Sequence, residues 1–341
     1  MHLRWRRRER RLLAPLHTGF GVLESRVLIE VELEADDGLT GRGEAAPLEP
    51  YDGVSLEAGE AGLQRLADLI AGSEEGDTEA LLDAAWASGA PAPAVAALDL
   101  CLHDLAGLRA GQPVAALLSR APRPEIEVNA TIAAPDRAAA AAAADRAQRA
   151  GFRCLKVKVG LGDDAGRLAA VRAAVGRETR LRVDANGAWG DPVGALAALE
   201  VLAPVGLELA EEPVHGVEAL RALRASAPVP IAMDETATDA GAWASGATDL
   251  VCLKLARCGG IAGVVAAARA ARAAGSEVYL ASSFDGPAGI AGALHAAAAL
   301  GALPACGLAT LGLFAESDRR LPVRDGRMAV PDGPGLGLGL G

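Results

Sequence analysis

A (β/α)7β barrel preceded by an α+β capping domain is the architecture that this sequence of 341 residues predicts. Three observations carry it. Short apolar segments recur between Leu155 and Lys254, and each ends in charge: Lys156 and Lys158, then Asp184, Glu211, Asp234 and Lys254. The steps from Lys158 onward are 26, 27, 23 and 20 residues, enough for a strand, a loop, a helix and a second loop. The first 120 or so residues lack this rhythm and read as alternating strands followed by helices.

In chain order, residues 2–13 and 24–34 read as paired strands. In the second, Val27, Ile29, Val31 and Leu33 alternate with Leu28, Glu30, Glu32 and Glu34, which gives one acidic face. Asp36-Asp37-Gly38 is turn chemistry, and 39–46 reads as a third strand. Helical spacing follows at about 55–71 and 91–109, the second with an apolar stripe from Ala94 to Leu105. This capping domain spans residues 1–124. Eight barrel strands are expected at 126–132, 153–159, 179–184, 206–211, 229–234, 249–254, 277–283 and 304–310. Seven helices lie between them, near 135–150, 163–176, 190–203, 215–225, 237–246, 260–274 and 286–300. Strand and helix in strict alternation imply parallel strands with right-handed crossovers, and eight such strands close a modified TIM barrel over 125–314. The Gly- and Pro-rich tail, about 315–341, is expected to pack back on the first domain and complete it, or to form extended edges.

Bulk composition narrows the partners. Apolar residues make up 51% of the chain but aromatics only 3%, so Ala, Leu and Val must build the core. A net charge of −11 argues against a nucleic-acid surface, which needs clustered cations. The five cysteines are scattered, with no C-x-x-C pair, so they read as buried thiols in a reducing compartment rather than a zinc or disulfide framework. Leu12–Phe20 contains Pro15, His17 and Thr18, too polar for the apolar stretch of a signal peptide, and no run reaches the length of a membrane span. A soluble cytoplasmic protein acting on a small molecule, with homo-oligomerisation left open, is the expectation.

In such barrels function sits where strands end. Those ends carry Thr131, Lys158, Asp184, Glu211, Asp234, Lys254 and Ser282. A single acid at a strand–helix junction is commonly a helix cap. Three on successive strands converge, repel, and call for a cation, and oxygen-only ligands favour Mg2+ or Mn2+ over zinc. Lys156 and Lys158 lie two apart on one strand and face the same side. At roughly 6.6 Å and an effective dielectric of about 20 they repel by about 2.5 kcal/mol, which would lower one lysine's pKa and suit it to proton abstraction. The plainer reading is two lysines neutralising the acids. Lys254 stands across the cluster. Base, metal and opposing cation around one cavity suit removal of a proton beside a carboxylate, with the enediolate charge stabilised as it develops.

The order Lys-x-Lys, Asp, Glu, Asp, Lys on a capped (β/α)7β barrel resembles the enolase superfamily. The lysine pair on strand two with a lysine on strand six is similar to its muconate-lactonizing-enzyme subgroup. The helix Ala96-Ala97-Leu98-Asp99 through Gly107, then Gly111-Gln112-Pro113, resembles that family's capping helix. The resemblance implies that Asp184, Glu211 and Asp234 ligate Mg2+, Glu211 being chosen over Glu212 as the first acid of Glu-x-Pro. It implies that Lys158 is the base, that Lys156 tunes it, and that Lys254 stabilises the enediolate or serves the opposite face. A His–Asp dyad, which would point to the mandelate racemase subgroup, has no counterpart: strand seven ends in Ala281-Ser282-Ser283, and His295 falls inside the next helix, where it reads as a half-buried histidine.

Several reactions share this scaffold, so the late strands must choose among them. Dipeptide epimerases of the subgroup carry Asp-x-Asp on strand eight for the substrate ammonium. Here Cys306–Phe314 contains no acid. Gly307-Leu308-Ala309-Thr310 and Ser282–Asp285 instead resemble the corresponding segments of o-succinylbenzoate synthases, and Gly41–Leu48 fits the same group. That resemblance implies dehydration of a succinyl-hydroxycyclohexadiene carboxylate in menaquinone synthesis. N-acylamino acid racemase, dipeptide epimerase or cycloisomerase activity is the alternative, and a catalytically silent barrel the remaining one. Thr131, Asn186, Ser282, Ser283 and Thr310 are the candidate substrate contacts, and His17–Gly21 and Tyr51–Gly53 candidate lid segments, the plainer reading of the two being ordinary turns.

Overall fold

Alternation makes β1 (His2–Thr18) and β2 (Gly21–Glu34) a long antiparallel hairpin, with β3 (Thr40–Ala45) on the other edge of β2. The structure, a computed structural model, describes residues 1–18, 21–71, 78–316 and 320–339. Residues 19–20 of the candidate lid His17–Gly21 lie outside the described residues. Ile29, Val31 and Leu33 turn inward and are buried. The outward acids meet the basic run of β1: Arg6 binds Glu30 and Arg4 pairs with Glu34. Arg7 reaches Glu57 and Glu60. The apparent basic patch is therefore a set of ion pairs.

Five helices follow: α1 (Glu49–Asp52), α2 (Leu56–Ala71), α3 (Thr78–Ala87), α4 (Ala92–Ala110) and α5 (Val114–Leu118). The sequence pattern did not predict α1, α3 and α5. The first and last are single turns, and α3 carries a weak apolar stripe of Leu81, Leu82 and Ala85. Helix α4 is buried along most of its length. Its backbone lies against β3 at Gly41 and Gly43, where a Cβ would sit 2.2 Å from the carbonyl oxygens of Cys101 and Ala97. Only glycine permits that approach.

The barrel runs β4 (Glu125–Glu127), β5 (Ala130–Ile132), α6 (Arg137–Arg149), β6 (Cys154–Lys158), α7 (Asp164–Val175), β7 (Arg180–Asp184), α8 (Pro192–Leu202), β8 (Leu207–Glu211), α9 (Val217–Arg224), β9 (Ile231–Met233), β10 (Leu250–Lys254), α10 (Leu255–Cys258), α11 (Ile261–Ala273), β11 (Glu277–Ala281) and α12 (Pro287–Leu300). Strands β5 to β11 form one curled parallel sheet in sequence order. Residues 304–310 do not form the continuous eighth strand expected. Pro304 has no N–H to give, and only Cys306 and Gly307 bridge, to Val128 and Ala281. Those two residues close the gap between the sheet's ends. The expected first strand is likewise split into β4 and β5, because Val128 and Asn129 pair with the closing segment. The helix expected at 237–246 is two 3-10 turns, 235–238 and 242–244, interrupted by Gly241 at φ +75°.

The tail forms β12 (Val323–Arg324) and β13 (Arg327–Ala329), a hairpin that adds to β4. It then returns to the capping helices, where Leu336 N–H donates to Asp104 and Val114 N–H to the Gly335 carbonyl. A second tie runs the other way. Asp99 of α4 accepts from the N–H groups of Ile261 and Ala262 and so caps α11 from across the domain boundary. No helix among the described residues is long and apolar enough to cross a membrane.

Candidate active site

Helix caps and strand-end acids are different residues in this barrel. Asp136, Asp163 and Asp191 cap α6, α7 and α8 with their side chains. Asp184, Glu211 and Asp234, which end β7, β8 and follow β9, make no such caps and point into the barrel mouth. Each is buried, between 1% and 3% exposed, so their charge must be met inside the protein.

It is met by the three lysines. Lys156 Nζ lies 2.8 Å from both Asp184 Oδ2 and Glu211 Oε1. Lys158 Nζ lies 2.7 Å from Asp184 Oδ2 and 2.7 Å from Asn186 Oδ1. Lys254 Nζ is 2.7 Å from each Asp234 oxygen. Asn186 adopts φ +46°, which asparagine tolerates, and its amide donates to Glu235. The expected lowering of one lysine does not hold at Lys156. Burial alone would lower it, but Asp184, Glu211 and Asp234 outweigh burial and push it well above its ordinary value. At 2.8 Å the Coulomb attraction in each of the two ion pairs is about 6 kcal/mol at an effective dielectric of about 20, before desolvation, more than twice the lysine–lysine repulsion. Lys254 is also raised: burial opposes, Asp234 prevails.

The acids divide. Burial would raise Asp184 and Asp234, but the adjoining cations hold both below the usual carboxylate range. Glu211 stays above it, because burial and the charges of Asp184 and Asp234 exceed the help from Lys156. Three buried oxygen donors with one still short of positive charge suit a hard divalent cation. Cys252 Sγ also lies within 4.8 Å of ligand atoms of Glu211 and Asp234. Burial and those acids push its thiol well above the ordinary value, and soft sulfur is a poor match for a hard divalent cation. Glu211 and Asp234 supply the oxygen donors of that group, and Asp184 is tied to Glu211 through Lys156.

Four further side chains surround the cluster. Glu212 has φ +41° and turns away from the cluster. Its carboxylate accepts from the backbone N–H of Asp234 and of Thr236 and fixes the loop after β9. Tyr51, from α1, donates to Asp234 Oδ1 at 2.8 Å and contacts Lys254 Nζ, so the segment picked out as a lid reaches the cluster. Arg257 stacks on the Tyr51 ring, 4.5 Å from its centroid. Tyr279, from β11, donates to Glu211 Oε2 at 2.7 Å. His295 is fully buried rather than half-buried. It accepts from Ala115 N–H, and burial pushes it down to about 4, a neutral core residue.

Above the cluster opens a cavity of about 430 Å3. Thr131, Lys158, Asn186, Ser282, Ser283 and Thr310 all line it, with Leu16, Leu48, Phe152, Phe284 and Leu313 as apolar wall. Thr310 Oγ1 donates to Ser282 Oγ at 3.0 Å, and Ser283 Oγ is buried without a partner among the described residues. Phe284 adopts φ +60°, a strained value for a bulky residue and one that points to function.

Two family descriptions match: the N-terminal domain of mandelate racemase / muconate lactonizing enzyme over residues 3–119, and the enolase C-terminal domain-like family over 138–340. The chain belongs to the enolase superfamily, in its muconate-lactonizing-enzyme subgroup. Muconate cycloisomerase 1 of Rhodococcus opacus is 32% identical, across 92% of this chain and 88% of that protein. The N-succinyl-L-Arg/Lys racemase of Bacillus cereus is 28% identical across 83% and 79%. An o-succinylbenzoate synthase of Mycobacterium bovis is 40% identical, over 61% of this chain and 65% of its own length. Among solved structures, the L-Ala-D/L-Glu epimerase of Bacillus subtilis superposes with a TM-score of 0.92 at 26% identity, covering 99% and 98% of the two chains. The dipeptide epimerase of Enterococcus faecalis, complexed with Mg and L-Leu-L-Tyr, gives 0.89 at 27% identity, covering 98% of each.

Proposed function

We propose that this chain is an o-succinylbenzoate synthase-type lyase that removes a proton beside a carboxylate and then expels water. The observation that carries the reading is the wall opposite the lysines. Residues 304–313 contain no acid, and the hydroxyls of Ser282 and Thr310 stand there instead. An ammonium-bearing dipeptide would find no counter-charge on that wall, whereas an uncharged ring or acyl group fits it. The 40% identity to a synthase over 221 residues supports the same choice.

Asp184, Glu211 and Asp234 would hold Mg2+. When bound, it supplies positive charge for the substrate carboxylate as the enediolate forms. Lys158 Nζ takes the α-proton, and Asn186 and Asp184 hold that amine in place. The C–H electrons move toward the carboxylate, where the Lys254 ammonium offsets the growing charge. They then return to form the ring double bond as the neighbouring C–O bond breaks. The proton on Lys158 joins the departing hydroxyl as water. Aromatisation drives the step.

A second reading has its own support. Lys158 sits on the Asp184 side of the cavity and Lys254 on the Asp234 side, which suits proton exchange on two faces of an N-acylamino acid. Purified protein should be assayed with the succinyl-hydroxycyclohexadiene carboxylate, N-succinyl amino acids and dipeptides, with and without Mg2+. Metal-dependent dehydration faster than any racemisation is expected. Faster turnover of free dipeptides would sink the proposal.

A further inference from the structure

We infer that Tyr279 is a positioning residue that presents Glu211 to the cation through a single oxygen, and thereby sets the preference of the site for Mg2+ over Ca2+. The inference rests on the proposed metal role of Glu211. Tyr279 lies mid-strand on β11 and is 1% exposed. Its hydroxyl reaches Glu211 Oε2 at 2.7 Å, while Oε1 faces Lys156 and, through it, Asp184. The ring is itself braced. The Arg182 guanidinium stacks 5.0 Å from its centroid, and Arg182 is held by Glu208 and by the Ala305 carbonyl at 2.7 Å. Glu208 can reach inward because β8 slips one place against β7: Leu181 pairs with Leu207, but Arg182 pairs with Leu209.

Each Glu211 oxygen accepts one hydrogen bond, Oε1 from the flexible Lys156 ammonium and Oε2 from the braced Tyr279 phenol, so Oε1 is the oxygen that can turn to a metal. Mg2+ demands near-octahedral geometry at short distance and suits single-oxygen carboxylates, whereas Ca2+ accepts more oxygens and bidentate carboxylates. Pinning Oε2 therefore favours the smaller ion. A ring that merely filled the core would need no hydroxyl at this point.

Tyr279→Phe keeps the ring and its stacking on Arg182 and deletes only the hydroxyl. Mg2+ and Ca2+ affinities of the full chain, wild type and variant, should be measured by titration calorimetry, with thermal unfolding alongside. Loss of an outer-shell partner is expected to weaken Mg2+ by about 10-fold or more. Ca2+ should weaken less, so the Mg2+/Ca2+ ratio falls. An unchanged ratio, even with a lower Tm, overturns the inference and leaves Tyr279 a core residue. A wild type that binds neither cation overturns the metal reading itself, and the inference with it.

Discussion

The rim of the barrel from β6 to β10 and the rim from β11 to residue 313 are built in opposite ways. On the first, each residue of the lysine–carboxylate cluster except Lys156, which lies mid-strand on β6, ends or directly follows a regular strand. Parallel register sets Lys158 beside Asp184, and Asp184 beside Glu211. On the second, the wall is made of irregular backbone: Phe284 at φ +60°, the two isolated bridges at Cys306 and Gly307, and a 3-10 turn after Thr310. The regular rim places charge with the precision of hydrogen-bonded strands. The irregular rim can change shape without disturbing that placement. On the proposed function, a scaffold divided this way would keep proton abstraction fixed while the substrate changes.

The division fails if substitutions on the two rims have the same kind of effect. On the regular rim, Lys158→Ala is expected to slow exchange of the α-proton in deuterated water by about 10³-fold or more, for every substrate the protein accepts. Mg2+ binding, measured separately, should persist. Retained exchange on both faces of the substrate carbon would remove Lys158 as the base. On the irregular rim, Thr310→Val should act selectively. It breaks the hydroxyl pair with Ser282 and is expected to change the ratio of dehydration to N-acylamino acid racemisation by about 10-fold, a typical worth for one polar contact. Exchange on a small acyl substrate should stay nearly constant. Equal losses in all reactions would show that the wall supports the chemistry itself.

The same division explains what the sequence discloses. Lys158, Asp184, Glu211, Asp234 and Lys254 are legible because strand ends recur at a near-constant spacing and charge there interrupts an apolar run. Tyr51 is legible only as part of a candidate lid, since its contact with Asp234 spans 183 positions and no local pattern links them. Tyr279 is hidden for another reason. An aromatic residue in mid-strand reads as core, and its hydroxyl's partner lies on a strand 68 residues away. Glu212 is legible as a second acid beside Pro213, but not as the residue that fixes the loop after β9. Its role depends on a positive φ, which sequence spacing does not express. The eighth strand reads as more regular than it is, since periodicity does not distinguish two bridging residues from seven paired ones.

The anchor of the irregular rim offers the mildest test. Glu44, on β3 of the capping domain, is buried and accepts from Gly286 N–H at 2.6 Å, just after the Ser282–Asp285 segment. Burial first, then the neighbouring Asp285, pushes its carboxyl up to about 8, against the help of Gly286, Arg10 and Arg26. The folded protein thus favours the protonated form more than the unfolded chain does. Its contribution to stability is complete below the unfolded carboxylate range, near 4.5, and is lost as pH rises through about 8. Between those limits wild-type stability should therefore fall relative to Glu44→Gln, whose neutral amide has no proton to lose. Denaturant unfolding of both proteins at pH 5, 6, 7 and 8 gives the difference directly, with other titrating groups cancelling. A difference that is flat with pH, or that grows in the wild type's favour, would mean that Glu44 is ionised in the folded protein and that Arg10 and Arg26, rather than a retained proton, hold the wall to the cap.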